Sequence, residues 1–446
     1  MARWRSRYDP NASTSSPRDP SRRGASAGPT TGLAETGQNA SRPRDRREGE
    51  ITMTTRNDRS RISRREALKL LGIGAGGLIV GCGGGTGPSA AGGTPTAAAS
   101  ASAGLAGFPT YYPSSYAQII ESAKTEPKLQ VYSIMSKANW QPVMDAFKAK
   151  YSFIDLDATD DDAYAVFDKY YTETAGGAKS ADVIMSSAMD AWQALVKKGE
   201  LDVYKSPEDD KVPAWSKLAA GVYTVSSDPM VIIWNKKLVA SPPKTLAALA
   251  DLAANETSKY SGKITTYIET NATGFAANWF AAKKNGQDKH LATISKIGAA
   301  KPKTESSGGR MVDSTIAGET LLGYFVSAIT VLPKFPAAND VLGYALISDG
   351  TPVITRGMGI TKKAKAPNRA RLLVDFILSQ EGQLAWSKGG LTPYRQDIAS
   401  QAQIHLDKFS AEVGQQNLIP FSFDPDLADS TKAEDFRAKL KKALGR

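Results

Sequence analysis

Cysteine is almost absent from this chain: Cys82 is the only one in 446 residues, so no intrachain disulfide can form. Histidine is nearly as scarce. His290 and His405 are the only two, and neither has a second ligand at i+3 or i+4, the clustering that a zinc or facial-triad site needs. Both read as surface residues in charge-rich helical stretches. No Gly-x-Ser-x-Gly and no Cys/His pairing is present, which removes the common hydrolase readings. The most extended apolar run, 70–80, is shorter than the roughly 20 residues needed to cross a bilayer.

The formal charge of +11 would point to nucleic acid, but its distribution does not. Residues 1–81 hold 16 Lys and Arg against 8 Asp and Glu, leaving only +3 for the rest of the chain. That remainder has no Lys/Arg-rich recognition helix, so nucleic acid is not an expected partner.

The N-terminal hundred residues read as export and attachment. Residues 1–62 are Arg, Ser, Pro, Gly and Asp with almost no spaced apolar residues, a composition expected to be disordered. In 63–82, Ser63-Arg64-Arg65 precedes the apolar, glycine-rich run and Leu78-Ile79-Val80-Gly81-Cys82. This resembles a twin-arginine export signal, with Ala67 where Phe is usual, joined to a lipobox-like end that makes Cys82 the expected lipidation site. Such a signal belongs near a start codon, so Met53 is the expected true start. Residues 83–111, mostly Gly, Ala, Ser, Thr and Pro, read as a flexible tether.

From residue 112 onward short β-rich runs alternate with helical periodicity. Strands are expected at 129–133, 153–156, 181–185, 230–235, 263–268, 344–347 and 352–355. Helices are expected through Trp140 to Phe147, Val166 to Tyr170, Trp192 to Val196, around Trp279, at 316–329, at 370–388 and at 433–444. Strand-helix alternation predicts an α/β fold with largely parallel strands. The basic, amphipathic last helix reads as a packed surface helix.

Hydroxyl clusters stand where strands run into helices: Ser133 and Ser136, Ser186 and Ser187, Thr270 and Thr273, and Ser307. Helix N-termini offer free N–H groups and a positive dipole end, so such clusters can cradle an oxyanion. Each can equally be an ordinary helix cap. Gly72-Ile73-Gly74-Ala75-Gly76-Gly77 matches a dinucleotide fingerprint, but inside the export signal with no preceding strand it carries no meaning. Asp157, Asp160, Asp161 and Asp162 lack the glycine and terminal Glu of a calcium loop and read as the opening of a helix.

Val131-Tyr132-Ser133 with Trp140-Gln141-Pro142, Ser180-Ala181-Asp182-Val183 with Ser186 to Asp190, and Ile377 to Gln383 carry a family resemblance. Over about 128–397 the chain resembles the extracellular solute-binding proteins of ABC importers, in the group of ferric-ion, phospho-sugar and phosphonate binders. The resemblance implies an α/β, two-lobe type II periplasmic-binding fold with two hinge-crossing strands. It places 112–232 and 350–446 in lobe I and 233–349 in lobe II. Ferric members use adjacent tyrosines in the second lobe. Gly323-Tyr324-Phe325-Val326 keeps only Tyr324, and Tyr170-Tyr171 lies on a first-lobe helix. A polar or anionic organic solute, held by Ser and Thr with Tyr324 at the rim, therefore fits better than ferric iron, for which Tyr324 would be the metal ligand.

The expected protein is a monomeric, non-enzymatic lipoprotein without cofactor, anchored outside the cytoplasmic membrane and serving an ABC permease and ATPase. The alternatives are an exported enzyme acting on a phosphorylated or envelope substrate, with Asp182 or Asp228 as general base, and a solute-presenting sensor protein.

Overall fold

The structure is a computed structural model that describes residues 105–446. The signal, Cys82 and most of the expected tether lie outside the described residues.

Twelve strands form one mixed sheet: β1 Leu129–Ser133, β2 Leu156–Ala158, β3 Val183–Ser186, β4 Leu201–Asp202, β5 Lys217–Ala219, β6 Val222–Asn235, β7 Ile264–Tyr267, β8 Lys303–Glu305, β9 Leu322–Ser327, β10 Leu342–Leu346, β11 Thr351–Thr361 and β12 Leu418–Pro420. The spatial order β2-β1-β3-β11-β6-β9-β7-β8 has a near-mirror plan. At one end β2, β1 and β3 are parallel, and at the other β9, β7 and β8 are parallel. Between them run the antiparallel pair β11 and β6, each antiparallel to its outer neighbour.

β6 and β11 explain the two lobes. β6 pairs with β11 through Tyr223 to Pro229, then with β9 and β10 through Met230 to Asn235. One strand thus begins in the first lobe's sheet and ends in the second's. Nearly every residue of both strands is buried, so neither alternates apolar with polar; the polar residues they carry, Asp228 and Arg356 among them, must find partners inside.

Several elements differ from the sequence expectation. The helix foreseen at 316–329 has strand β9 at its centre, because pairing with β6 and β7 outweighs a locally helical spacing. The single helix foreseen at 370–388 is two, Pro367–Leu378 and Gln380–Lys388, broken at Ser379, whose side chain caps the second helix through the N–H of Gly382 at 3.2 Å. The tail also departs from its expected lobe. Helix Ser430–Ala443 packs on the second-lobe helices Ala272–Asn285 and Gln287–Gly298, with Phe436 against Phe275 and Trp279. Trp279 Nε1 donates to Asp424 at 3.1 Å, so the end of the chain belongs with the second lobe and not, as 350–446 implied, the first. The end of the expected tether is also docked: Phe108 lies against Tyr112 and Tyr116, and the Tyr111 hydroxyl donates to Glu208 at 2.8 Å.

Candidate functional site

In an open α/β sheet the carboxyl ends of parallel strands, with the helix N-termini that follow them, face the ligand. Here both lobes aim those ends at one another, and a cleft of about 850 Å³ lies between them. That volume suits a small solute.

The first-lobe wall comes from the segments after β1 and β2. Ser136 caps helix Lys137–Lys150: its hydroxyl donates to Asn139 Oδ1 at 2.7 Å and accepts from the Asn139 N–H at 3.4 Å. Asp160, Asp161 and Asp162 line the same wall. Asp162 accepts from the N–H of Tyr164 at 2.9 Å, just ahead of helix Ala165–Ala175, as an opening carboxylate should. Burial and the neighbouring Asp161 push the Asp160 carboxyl up from its ordinary value.

The second-lobe wall, by contrast, is electropositive. Asn271 caps helix Ala272–Asn285 through the N–H of Gly274 at 2.9 Å, and its amide donates to the Ser306 carbonyl at 3.0 Å, tying two cleft loops together. Ser307 precedes helix Gly308–Ile316 but makes no side-chain cap. The first N–H groups of a helix have no intrahelical partner, so this end presents open donors and the positive dipole to the cleft. Glycine at 308 is required by close approach: a Cβ there would stand 2.6 Å from Tyr267 Oη and 3.0 Å from Thr330 Oγ1.

The floor is made where the crossing strands meet. Register shifts occur in the β6–β11 pair beside Arg356 and in the β6–β9 pair at Tyr324-Phe325, where Phe325 takes a left-handed φ of 52°. Such bulges re-aim side chains. Arg356 lines the cleft although only 2% exposed. Its guanidinium pairs with Asp228, donates to Ser226 Oγ at 3.2 Å and reaches Ser327 Oγ at 3.4 Å, while its Nε has no partner. A buried donor without a partner is costly, and at the floor of a cleft it points to a missing acceptor.

The sequence profile of the bacterial extracellular solute-binding proteins matches residues 143–411, more than half of the chain. This protein belongs to that family. No curated protein sequence matches it. Among solved structures it is similar to a substrate-binding protein of an ABC transporter from Agrobacterium tumefaciens, at 24% identity and a TM-score of 0.66, covering 72% of this chain and 95% of that one. It is also similar to AfuA of Actinobacillus pleuropneumoniae with bound fructose-6-phosphate, at 22% identity and 0.59, covering 71% and 98%. Iron-bound HitA of Pseudomonas aeruginosa follows at 18% and 0.56, covering 70% and 99%. These likenesses bear on the fold, the two-lobe type II architecture that the crossing strands build.

Within this binding protein the hydroxyls singled out in the sequence separate into distinct positions. Ser136, Thr273 and Ser307 line the cleft. Ser187 and Thr273 share a 2.7 Å hydrogen bond from one lobe to the other. Ser133 and Ser186 are core residues: Ser133 accepts from Trp140 Nε1 at 2.9 Å, and Ser186 donates to the Ala163 carbonyl at 2.7 Å. Thr270 is exposed and does not line the cleft. Tyr324 is not at the rim. It is fully buried in the core beside Phe325, and its hydroxyl has no partner.

Both histidines are likewise buried and not on the surface. His290 donates through Nε2 to Asn278 Oδ1 at 3.0 Å, and His405 through Nε2 to the Arg395 carbonyl at 3.0 Å. Asp182, one candidate base, accepts from the N–H groups of Gln130, Lys365 and Ala366 at 2.8, 2.6 and 2.9 Å and does not line the cleft. Asp228, the other, pairs with Arg356 and accepts from the Thr392 N–H at 2.7 Å. Sequence reasoning missed Arg356 and Tyr267, and it read Asp160, Asp161 and Asp162 only as the opening of a helix, without their place in the cleft wall. The one available signal for Arg356 was a charged residue inside an otherwise uncharged strand, which must find a buried partner or a ligand.

Proposed function

We propose that this protein captures a small organic phosphate or phosphonate between its lobes and delivers it to the permease and ATPase of an ABC importer. It acts as a monomer held at the outer face of the cytoplasmic membrane by a lipid on Cys82. The observation that carries the ligand class is Arg356, buried at the cleft floor with a free Nε and standing with the uncapped N-terminus of helix Gly308–Ile316 around one cavity. An anionic oxygen supplies the acceptor that both lack, and charge-assisted bonds of this kind are the strong ones. Thr273, Ser307 and Tyr267 add hydroxyls on the same side. Because the donors come from the second lobe and the hinge while Ser136 and the aspartates come from the first, a solute touching both walls favours the closed arrangement through its differential affinity.

Ferric iron fits less well. Tyr324, the phenol that reading relied on, is packed in the core, and among the described residues no three His, Cys, Asp or Glu side chains are grouped to hold a metal.

A thermal-shift screen tests the reading, with glucose 6-phosphate, n-propyl phosphate, n-propylphosphonate and Fe(III)-citrate as probes. A ligand at 100 times its dissociation constant stabilises the folded state by about 2.7 kcal/mol, so at least one phosphate or phosphonate is expected to raise the midpoint while Fe(III)-citrate does not. A shift with Fe(III)-citrate alone overturns the proposal.

A further inference from the structure

The chain after β12 joins the lobes a third time, and by contacts that can part. β12 lies along the start of β11, where the Phe421 N–H donates to the Val353 carbonyl at 2.9 Å and Thr355 Oγ1 donates to the Phe421 carbonyl at 2.8 Å, so the segment is rooted at the hinge. From there its hold on the second lobe is extensive. Phe421 stacks on Phe280 with 5.5 Å between ring centres, Asp424 pairs with Lys283 at 2.5 Å, and Arg446 pairs with Glu269 at 2.5 Å. Helix Ser430–Ala443 comes so near that a Cβ on Gly298 would stand 2.1 Å from the Ala443 carbonyl oxygen. Its hold on the first lobe is a smaller seam. Helix Pro425–Ala428, with Leu427 buried, packs against helix Met189–Lys197. Beside it Arg437, over the Phe275 ring at 4.0 Å and donating to the Glu269 carbonyl at 2.7 Å, brings its charge to Tyr164 and Asp190. Tyr164 donates to Asp190 Oδ2 at 3.1 Å, which fixes that carboxylate on the first-lobe side.

We infer that residues 421–446 are a clasp: carried on the second lobe, they grip helix Met189–Lys197 and the Tyr164–Asp190 pair of the first and hold the lobes together without help from a solute. The inference rests on the two-lobe fold and not on the phosphate reading. Rotation of the first lobe about β6 and β11 parts helix Met189–Lys197 from helix Pro425–Ala428, because the latter is tied through its flanking residues to the second lobe. The Ser187–Thr273 bond parts with it. None of Leu427, Arg437, Tyr164 and Asp190 lines the cleft, so the seam adds its free energy to the closed arrangement whether or not the cleft is filled. Leu427 supplies the apolar share of that free energy. The charged share is visible at Asp190, whose carboxyl burial pushes up while Tyr164 and Arg437 draw it back. Apparent affinity is the intrinsic affinity scaled by the fraction of molecules already closed, and the clasp raises that fraction.

The Ser187–Thr273 contact supplies a readout that needs no ligand, so its outcome bears on the clasp alone. In the full chain carrying C82S, which removes the native cysteine, S187C and T273C can form a disulfide only while the lobes are together. The rate of that cross-link in a fixed glutathione redox buffer, followed by mass spectrometry, is expected to fall at least about five-fold when L427A is added, in proportion to the lost closed fraction. R437Q, which leaves Leu427 in place, is expected to slow it at least about three-fold. An unchanged rate in L427A overturns the inference, as does faster cross-linking in that variant or no cross-linking in the parent. The melting temperature of each variant reports whether it has folded. Should L427A fail to fold, the rate in R437Q decides in its place, by the same outcomes.

Discussion

His290 and Asp375 show how far burial changes what a residue does. His290 was read as exposed because it follows Gln287, Asp288 and Lys289, yet it sits on the inner face of helix Gln287–Gly298, and burial holds its imidazole down at about 4. Below pH about 6.5 the unfolded chain takes up a proton here that the folded chain refuses. Its contribution is therefore complete above about 6.5 and is lost as pH falls toward 4, by about 3 kcal/mol. Asp375 acts in the opposite sense. Burial pushes its carboxyl up to about 7 within a cage where the Tyr116 and Tyr204 hydroxyls both donate to Oδ2 at 2.8 Å. The unfolded carboxyl ionises near 4, so stability held by the neutral form below that pH is lost as pH rises to 7, by about 4 kcal/mol. In urea unfolding between pH 4 and 7 the two trends offset in the wild type. H290Q is expected to leave stability falling with rising pH and D375N to leave it rising; parallel slopes in the two variants would contradict both assignments.

At the scale of elements, the sequence was most informative where chemistry is local. Hydroxyls at strand ends marked the cleft loops because Ser, Thr and Asn favour helix caps, and Ser136, Asn271 and Ser379 do cap their helices. The pattern could not separate a cap facing the cleft from one facing the core, which is why Ser133 and Ser186 were grouped with Ser136 and Ser307. It failed where pairing decides. β9 carries a spacing that suits a helix, and only β6 and β7 on either side make it a strand, with a bulge that buries Tyr324 and leaves Ser327 at the floor. Arg356 was equally hidden, since its partners Asp228 and Ser226 meet it only through the strand pair. The N-terminus of helix Gly308–Ile316 can be tested directly. In G308A the new methyl meets the Tyr267 and Thr330 hydroxyls, which must shift to admit it. Because these hydroxyls line the cleft, moving them alters the bound state specifically, and calorimetric affinity for n-propyl phosphate is expected to fall about ten-fold. Unchanged affinity would separate this helix end from the site.

The whole molecule joins its lobes in more than one way. β6 and β11 cross as the resemblance implied, while the chain after β12 lies on the second lobe and also brings helix Pro425–Ala428 against the first-lobe helix Met189–Lys197. The Ser187–Thr273 bond adds a direct link between lobes beside the cleft. The proposed function turns on an anionic solute completing Arg356 at the hinge, where both lobes would sense it. The most direct measurement is the thermal shift that n-propyl phosphate induces in R356Q compared with the wild type, each referred to its own melting temperature without ligand. Removing a buried charged partner from a binding site costs about 2–5 kcal/mol, so a clear shift is expected in the wild type and none in R356Q at the same concentration. An equal shift in the two proteins would contradict it.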